Sequence, residues 1–499
     1  MAKRPNILLI VIDQFRADLL GRGPLGQVAQ LPNLRALMDE AVSFKRHYSV
    51  VAPCGPSRVS LLTGQYAMNH RAVRNGTPLR HDTPTLGTEM RKAGYVPQLF
   101  GYTDTAQDPR VLSPDDPRLS SYEELINGFD EATRMRMETD DSAWRDHLAS
   151  QGISLPPYPD TYRPAGNDIR DPAIYPADLS DTAFLTDRFL ADMGAAAPGW
   201  FGLLTYIRPH PPLVAPAPYN DMYDPADMPP AARGDYDSHA YMKPARDKQT
   251  PASMVVGFPD LVASEETTAA LRALYLGLAS EVDHHIGRII AWLKQSGLWE
   301  ETILVVTADH GEMLGDYGLW GKGTFHDAAF HVPLIIRDPA HPAQHGKRVE
   351  EMTESIDVMP TLLERAGVEP PHSLNGQSLI PELDGTGPAT KEQTVSEYDF
   401  GNPVTPNTWM QSLGLASNQC NLNVLRTERH RLVQFGGALA PILFDMHEDG
   451  EARNISGQDA HVPLCLELTQ KLLRHRMTKP DSLFARTMIG EGGVKTGMF

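Results

Sequence analysis

The chain has 499 residues, of which 41% are hydrophobic and 22% are charged, as is ordinary for a soluble globular protein with a large core. Its formal net charge is −18, which argues against a nucleic-acid partner held by a basic surface. An anionic ligand must therefore be bound by a local cluster of positive charge.

Cysteine usage and the N-terminal segment predict the compartment. Three cysteines, Cys54, Cys420 and Cys465, form no disulfide framework and are typical of a reducing compartment. The first apolar run, residues 7–12, is too short for a signal peptide and ends at Asp13 without a small-residue cleavage site. No stretch approaches the roughly 20 apolar residues of a membrane span. We predict a cytoplasmic protein without a membrane partner.

The first third of the chain contains the start of a predicted sheet. Residues 6–12 form a continuous apolar, β-branched run, typical of a strand buried on both faces of a mainly parallel sheet. Residues 32–40 and 85–93 are predicted to be helices, and residues 96–100 a short strand.

The middle of the chain is less regular. Residues 104–260 are rich in Pro, Asp and Arg with few long periodic segments, so we expect loops that wall a site or reach an interface. Ser264 can cap a long helix, with Glu265 and Glu266 in its first turn, where the helix dipole favours anions. Residues 302–307 form a second buried strand.

The character of the chain changes near residue 385. Residues 423–435 and 441–446 resemble strands, and residues 461–475 resemble a helix. The predicted fold class is α/β. We predict a catalytic domain over residues 1–385 and a smaller α+β subdomain, an antiparallel sheet with a helix, over residues 386–499.

The most informative segment is CGPSRVSLLTG, which begins at Cys54. Its Cys54, Pro56 and Arg58 form Cys-x-Pro-x-Arg, the pattern that a maturation enzyme reads when it oxidises cysteine to the aldehyde formylglycine. A hydrated aldehyde beside a metal ion can attack sulfur or phosphorus with one hydroxyl and expel an alcohol. The second hydroxyl then loses its proton, and the aldehyde returns as the inorganic group leaves. The alternative is a structural cysteine that opens a helix.

Acidic side chains follow the two predicted buried strands. Asp13 follows the first strand, and Asp309 and His310 follow the second. Because sites in open α/β sheets lie at the carboxyl ends of strands, we expect these residues to converge. With Cys54 as formylglycine they would form a site for one divalent cation, Ca²⁺ or Mn²⁺. The alternatives are a helix-capping aspartate and an ordinary polar histidine.

Over nearly the whole chain, the order of motifs resembles the sulfatase family of the alkaline phosphatase superfamily. The branch of phosphonate monoester hydrolases and close arylsulfatases is the most similar, on residues 13–14, 69–75 and 101–103. The resemblance implies an alkaline phosphatase-like fold, with a large mixed sheet flanked by helices. The matching stretches are NILLIVIDQFRADLL, CGPSRVSLLTG, TLGTEMRKAGY, RPHPP, TADHGEMLGDYGLWGKG, HVPLIIRDP and SIDVMPTLLERAGV.

The resemblance also implies roles for single residues around the predicted metal ligands. Arg58 would hold the formylglycine hydrate with its fixed fork of donors. Lys322 would reach a non-bridging oxygen of the substrate, and His210 would act on the leaving-group side as a proton donor. Asn75 and Tyr102 would contact the bound oxyanion. Taken alone, Lys322 would be an exposed loop lysine and His210 a proline-flanked loop residue.

Two residues depart from the family pattern. Gln14, beside the metal ligands, replaces a second acidic residue, which leaves the identity of the metal open. Asp104 stands where the phosphonate hydrolase branch has a small hydroxyl residue. A carboxylate near an anionic substrate is unfavourable unless it is protonated, paired or turned away. We hypothesise that Asp104 faces a positively charged or hydroxyl-bearing part of the leaving group.

Three functions compete at this point. The first is a formylglycine-dependent hydrolase of sulfate and phosphonate monoesters, promiscuous toward phosphodiesters because these substrates share a tetrahedral anionic centre. The second is a superfamily phosphatase or phosphodiesterase that uses unmodified Cys54, against which the retained Pro56 and Arg58 argue. The third is a non-catalytic binding protein, against which the complete ligand set argues.

The predicted partners follow from the first function. They are a small anionic ester and a formylglycine-generating maturation enzyme. The resemblance also implies a homo-oligomer, either a dimer or a tetramer. Residues 481–499 are expected to be an extended arm that is either disordered or docked on another subunit.

Overall fold

The computed structural model describes residues 4–387, 391–479, 487–491 and 493–496. Its strands are, in chain order, β1 (Asn6–Ile12), β2 (Val42–Tyr48), β3 (Val51–Ala52), β4 (Pro97–Gly101), β5 (Asp130–Arg134), β6 (Phe201–Tyr206), β7 (Thr302–Ala308), β8 (Leu334–Arg337), β9 (Arg348–Glu354), β10 (Gln393–Asp399), β11 (Asn421–Thr427), β12 (His430–Phe435), β13 (Ile442–Asp445), β14 (Thr487–Gly490) and β15 (Gly493–Thr496).

The α-helices of the same part of the chain vary from single turns to one helix of 31 residues. They are α1 (Pro24–Val28), α2 (Pro32–Asp39), α3 (Cys54–Thr63), α4 (Ala67–His70), α5 (Leu86–Lys92), α6 (Ser142–Ser150), α7 (Asp181–Ala195), α8 (Met242–Lys248), α9 (Glu265–Gln295), α10 (Asp327–Phe330), α11 (Val358–Arg365), α12 (Ile380–Asp384), α13 (Thr408–Leu413) and α14 (Val462–Thr478). None of the helices in the described ranges is long and apolar enough to cross a membrane.

The large sheet is mixed and has helices on both faces. Its strand order is β5-β4-β6-β1-β7-β8-β2-β9. From β5 to β7 all neighbours are parallel, whereas β8 is antiparallel to both β7 and β2. Alternate residues of β1 contribute to two cores, because side chains alternate across a strand. Leu8, Ile10 and Ile12 share one core with α7 and α9, and the other face packs with α3, α5 and α11.

Most predicted elements of this sheet and its helices are confirmed. The runs at residues 6–12 and 302–307 are β1 and β7, and residues 96–100 correspond to β4, shifted by one residue. The predicted helices are α2, α5 and α9. Ser264 caps α9, since its side chain accepts the N–H of Thr267 at 3.0 Å.

The expectation that residues 104–260 contain few regular elements is wrong in one respect. This segment supplies β6, which lies between β4 and β1, and the 15-residue helix α7. Both patterns are weak in the sequence for a physical reason. The buried face of α7 includes the polar residues Asp181, Thr182 and Thr186, and β6 contains Gly202, whose missing side chain admits the ring of Phe189.

A second sheet has the order β13-β12-β11-β10-β3 and packs against α14, which confirms the predicted fold class. The predicted strand over residues 423–435 is two strands, β11 and β12, because the chain turns between Thr427 and His430. Strand β3, from the N-terminal part of the chain, pairs in parallel with β10. The domain boundary at residue 385 remains a prediction.

The predicted extended arm at the C-terminus is described only in part. Strands β14 and β15 pair antiparallel within it. The remainder of residues 481–499, apart from residue 491, lies outside the described residues.

Candidate active site

Four adjacent parallel strands, β4, β6, β1 and β7, end at one edge of the large sheet. The register aligns Ile12, the last residue of β1, with the last residues of β6 and β7. Asp13 and Asp309 therefore follow neighbouring strands, and the backbone N–H of Gln14 donates to Asp309 Oδ1 at 3.0 Å. The topology thus places the two aspartates together.

Cys54 is the first residue of α3, a ten-residue helix with every residue buried. Its Sγ lies 3.2 Å from His310 Nε2 and 3.9 Å from Asp13 Oδ1. Burial raises the pKa of the Cys54 thiol well above its ordinary value, and the charges of Asp13 and Asp309 raise it further. The protein groups around Cys54 therefore favour the neutral thiol over the thiolate.

Arg58 lies one helical turn after Cys54 and so on the same face of α3. Its Nη2 donates to Asp13 Oδ2 at 2.9 Å, and its Nε donates to Asp309 Oδ2 at 3.1 Å. The guanidinium carbon lies 3.7 Å from the centre of the Tyr102 ring, and Nη1 donates to the Tyr102 carbonyl at 3.0 Å. One buried cation thus offsets the repulsion between two buried carboxylates.

The predicted metal ligands converge. The candidate ligand atoms of Asp13, Cys54, Asp309 and His310 all lie within 4.8 Å of one another, and all four residues are buried. His310 Nδ1 donates to the Gly311 carbonyl at 3.0 Å, which leaves the Nε2 lone pair facing the carboxylates. Two carboxylates and an imidazole are a donor set that fits a divalent cation.

Lys322 connects the cluster of candidate metal ligands to His210. Its Nζ donates to Gln14 Oε1 at 2.7 Å and to His210 Nε2 at 2.8 Å. Burial alone would lower the pKa of Lys322, but the charges of the cluster raise it above its usual value. His210 Nδ1 donates to the Pro211 carbonyl. Burial and the Lys322 charge hold the pKa of His210 well below its usual value.

The other predicted contacts surround the start of α3. Asn75 Oδ1 accepts the N–H of Gly55 at 3.0 Å, and the Tyr102 hydroxyl donates to Asp13. Asp104 is 7% exposed and packs directly against Gly55. A Cβ on Gly55 would lie 2.6 Å from the Asp104 carbonyl oxygen, so only glycine permits this approach. All residues predicted for the site therefore lie around one centre.

Two buried residues of the site were missed in the sequence. Arg208, just after β6, donates from Nη1 to the carbonyls of His210 and Pro212, at 3.0 Å each. Glu312 accepts a hydrogen bond from Gln14 Nε2. Both could have been identified from the sequence, because each is a charged residue within a motif of the family resemblance. Arg208 lies two positions before His210, and Glu312 lies two positions after His310.

Two protein-family models match this chain. The sulfatase family model matches residues 5–368, and the model described as N-sulphoglucosamine sulphohydrolase, C-terminal, matches residues 315–478. The chain belongs to the sulfatase family. The predicted family, and with it the hydrolase class, is confirmed.

Individual proteins are similar to this chain over its full length. The multifunctional alkaline phosphatase superfamily protein PehA of Trinickia caryophylli is 36% identical over 99% of both chains. The structure of phosphonate monoester hydrolase SpPMH from Silicibacter pomeroyi is 51% identical, with a TM-score of 0.96 over 99% of both chains. That of the Agrobacterium radiobacter phosphonate monoester hydrolase is 37% identical, with a TM-score of 0.93 over 99% of this chain and 100% of that one.

Proposed function

We propose that this sulfatase-family protein is a formylglycine-dependent hydrolase of sulfate monoesters and phosphonate monoesters. The observation that carries the proposal is the position of Cys54. It lies in a Cys-x-Pro-x-Arg pattern at the head of α3, with Asp13, Asp309 and His310 within 4.8 Å. The similarity to two phosphonate monoester hydrolases supports this ester class.

The residues around position 54 suit nucleophilic displacement at sulfur or phosphorus. A hydroxyl of the formylglycine hydrate, held by Arg58, attacks the central atom, and the bond to the alcohol breaks. Lys322 and Asn75 stabilise charge on the non-bridging oxygens. His210 Nε2, which accepts a hydrogen bond from the Lys322 ammonium at 2.8 Å, passes that proton on to the departing oxygen.

Release needs no second attack at the central atom. The remaining hydroxyl on residue 54 loses its proton, and the carbon–oxygen bond to the sulfate or phosphonate breaks. The aldehyde reforms and is hydrated again by water. Tyr102 and Asn75 contact the departing oxyanion, and the Tyr102 hydroxyl is already bonded to Asp13.

A divalent cation, Mn²⁺ or Ca²⁺, held by Asp13, Asp309, His310 and residue 54, would supply positive charge that lowers the pKa of a nearby hydroxyl and neutralises the substrate. Since the charged groups act on oxygens and not on the central atom, promiscuity toward phosphodiesters is also proposed.

The first experiment is the mass of the peptide that contains Cys54. A mass below that of the thiol form, with no alkylation, is expected for formylglycine. A fully alkylated peptide in a protein that turns over substrate as fast as processed material would contradict the proposal and favour a thiol-dependent phosphatase. Kinetics with a matched aryl sulfate and aryl phosphonate monoester then rank the two substrates.

The control for these kinetics is Cys54→Ala. It removes the nucleophile and leaves the aspartates, Arg58 and Lys322 in place. We expect kcat to fall by at least about 1,000-fold on both esters, as for loss of other covalent nucleophiles.

The cellular setting is part of the proposal. The cysteine usage supports a cytoplasmic enzyme that depends on a formylglycine-generating maturation enzyme. The net charge of −18 argues against a nucleic-acid partner, so the small anionic ester would be bound by local positive charge. We also propose a homo-oligomer, a dimer or tetramer.

A further inference from the structure

Glu312 is a fully buried carboxylate that the chemistry above does not use. Its Oε1 accepts the backbone N–H of Leu314 at 3.1 Å and that of Gly321 at 2.6 Å. Its Oε2 accepts a hydrogen bond from Gln14 Nε2. Both oxygens are therefore committed to named partners around the site.

The contact with Glu312 fixes the orientation of the Gln14 amide. A carboxylate can only accept, so Gln14 must present its NH₂ group to Glu312 and point its Oε1 the other way. On that side, Oε1 accepts from Lys322 Nζ at 2.7 Å. The backbone of Gln14 is held as well, in a left-handed conformation (φ 64°) with its N–H on Asp309.

The same carboxylate holds the loop that carries Lys322. The N–H of Met313 donates to the Gly321 carbonyl at 2.9 Å, which closes the loop, and the Gly321 N–H donates to Glu312. Lys322 follows directly. Glu312 therefore acts on both ends of this lysine, on its backbone through Gly321 and on its ammonium through Gln14.

We infer that Glu312 is a positioning residue for oxyanion binding: it sets the Gln14 amide with its oxygen toward Lys322 and so keeps the ammonium in place for the substrate oxygens. The inference rests on the proposed function, since that function assigns Lys322 to the oxyanion. The chemistry that it concerns is recognition of a tetrahedral oxyanion, for which inorganic phosphate is a suitable probe.

The test is the isosteric change Glu312→Gln. The new side chain keeps one oxygen for Leu314 and Gly321 but turns an NH₂ group toward Gln14. The Gln14 amide must then rotate and present its own NH₂ to the Lys322 ammonium, where two donors cannot pair. Loss of one hydrogen bond to a charged group should weaken phosphate binding by the metal-loaded protein, measured by calorimetry, roughly 10- to 100-fold.

The exchange variant Gln14→Glu with Glu312→Gln provides the rescue. The new glutamate at position 14 accepts from the new amide at position 312 with one oxygen and faces Lys322 with the other, at unchanged net charge. We expect the dissociation constant for phosphate to return toward the wild-type value, and the two substitutions to be strongly non-additive. A merely structural role would lower the melting temperature without this recovery.

Glu89→Gln is the matched control, because Glu89 is a buried glutamate of α5 whose partner is Lys92. It should leave phosphate binding unchanged. Wild-type phosphate affinity in E312Q, or an exchange variant no better than E312Q, overturns the inference. If the wild-type protein hydrolyses neither ester, the proposed function fails; if it is active and E312Q binds phosphate normally, only this inference fails.

Discussion

Asp104 places a carboxyl group beside a centre that we propose for anionic substrates. Its backbone is left-handed (φ 51°), and it packs against Gly55, the residue after Cys54. Burial raises the pKa of Asp104 to about 8; Arg58 opposes this change, and Asp13 adds to it. A neutral carboxyl group avoids like-charge repulsion with the substrate and can donate a hydrogen bond.

Replacement of Asp104 by Asn or Thr should therefore change activity unequally across substrates. If Asp104 faces a charged or hydroxyl-bearing part of the alcohol, kcat/KM should fall about 10-fold for esters of such alcohols, since one hydrogen bond is lost. Plain aryl esters should change little. The measurement is kcat/KM over a panel of leaving groups, and a uniform change over the panel would contradict the hypothesis.

At the scale of elements, the segment after β6 is held by a buried cation. Arg208 Nε donates to Asp181 Oδ2 at 3.1 Å, and its guanidinium lies 4.2 Å from the centre of the Tyr162 ring. Its Nη1 donates to the carbonyls of His210 and Pro212. The position of His210 therefore depends on α7, through Asp181, and not only on its own proline-rich segment.

Arg208→Lys should act on catalysis through His210. A lysine keeps the charge but cannot serve Asp181 and two carbonyls with one fixed fork. We expect kcat/KM to fall roughly 10- to 100-fold for esters of poorly acidic alcohols, since misplacement of a catalytic group has effects of this size. Esters of acidic phenols need less proton donation and should lose less.

The measurement for Arg208→Lys is the slope of log kcat/KM against the pKa of the leaving alcohol. A steeper slope than in the wild type supports the positioning role. An equal loss for every ester, with an unchanged slope, would mean that Arg208 only stabilises the fold.

At the scale of the whole molecule, the pH dependence of folding stability includes a contribution from a buried glutamate outside the candidate active site. Glu281 of α9 is fully buried. Burial raises the pKa of Glu281 to about 8; the charge of Asp181 adds to this, and Ser180 and Arg208 reduce it. In an unfolded chain the pKa of a glutamate is about 4.3.

This difference in pKa between the folded and unfolded chains predicts the pH dependence of stability. Between about pH 4.3 and pH 8 the folded state keeps a proton on Glu281 that the unfolded state has released. The stabilisation that Glu281 contributes to the free energy of unfolding is therefore complete below this pH range and is lost as the pH rises through it. Glu281→Gln removes the titration. The gain in unfolding free energy over wild type should therefore grow from about pH 5 to about pH 9, by an amount on the order of a few kcal/mol.

Urea unfolding of both proteins at several pH values checks this prediction. A difference between Glu281→Gln and the wild type that is constant with pH would show that Glu281 is already ionised in the folded state. The comparison uses identical metal content in both proteins, because bound metal changes the unfolding midpoint.

The amino-acid sequence alone determined the features that depend only on residues close together along the chain. The pattern of Cys54, Pro56 and Arg58 lies within about one turn of one helix, so its chemistry could be recognised without a fold. Strands β1 and β7 are buried, mainly apolar runs, and each is followed directly by an aspartate. This pattern was enough to predict that Asp13 and Asp309 converge.

Only the tertiary structure decided which buried polar groups hold these residues in place. Gln14 and Glu312 are 298 positions apart in the sequence, and Arg208 and Asp181 are 27 apart, yet each pair is in direct contact. Such contacts depend on the order of strands in the sheet, and no local pattern encodes that order. Helix α7 could not be predicted for the same reason, because its buried face contains polar residues. Its buried Asp181 is neutralised by Arg208, which belongs to another part of the chain.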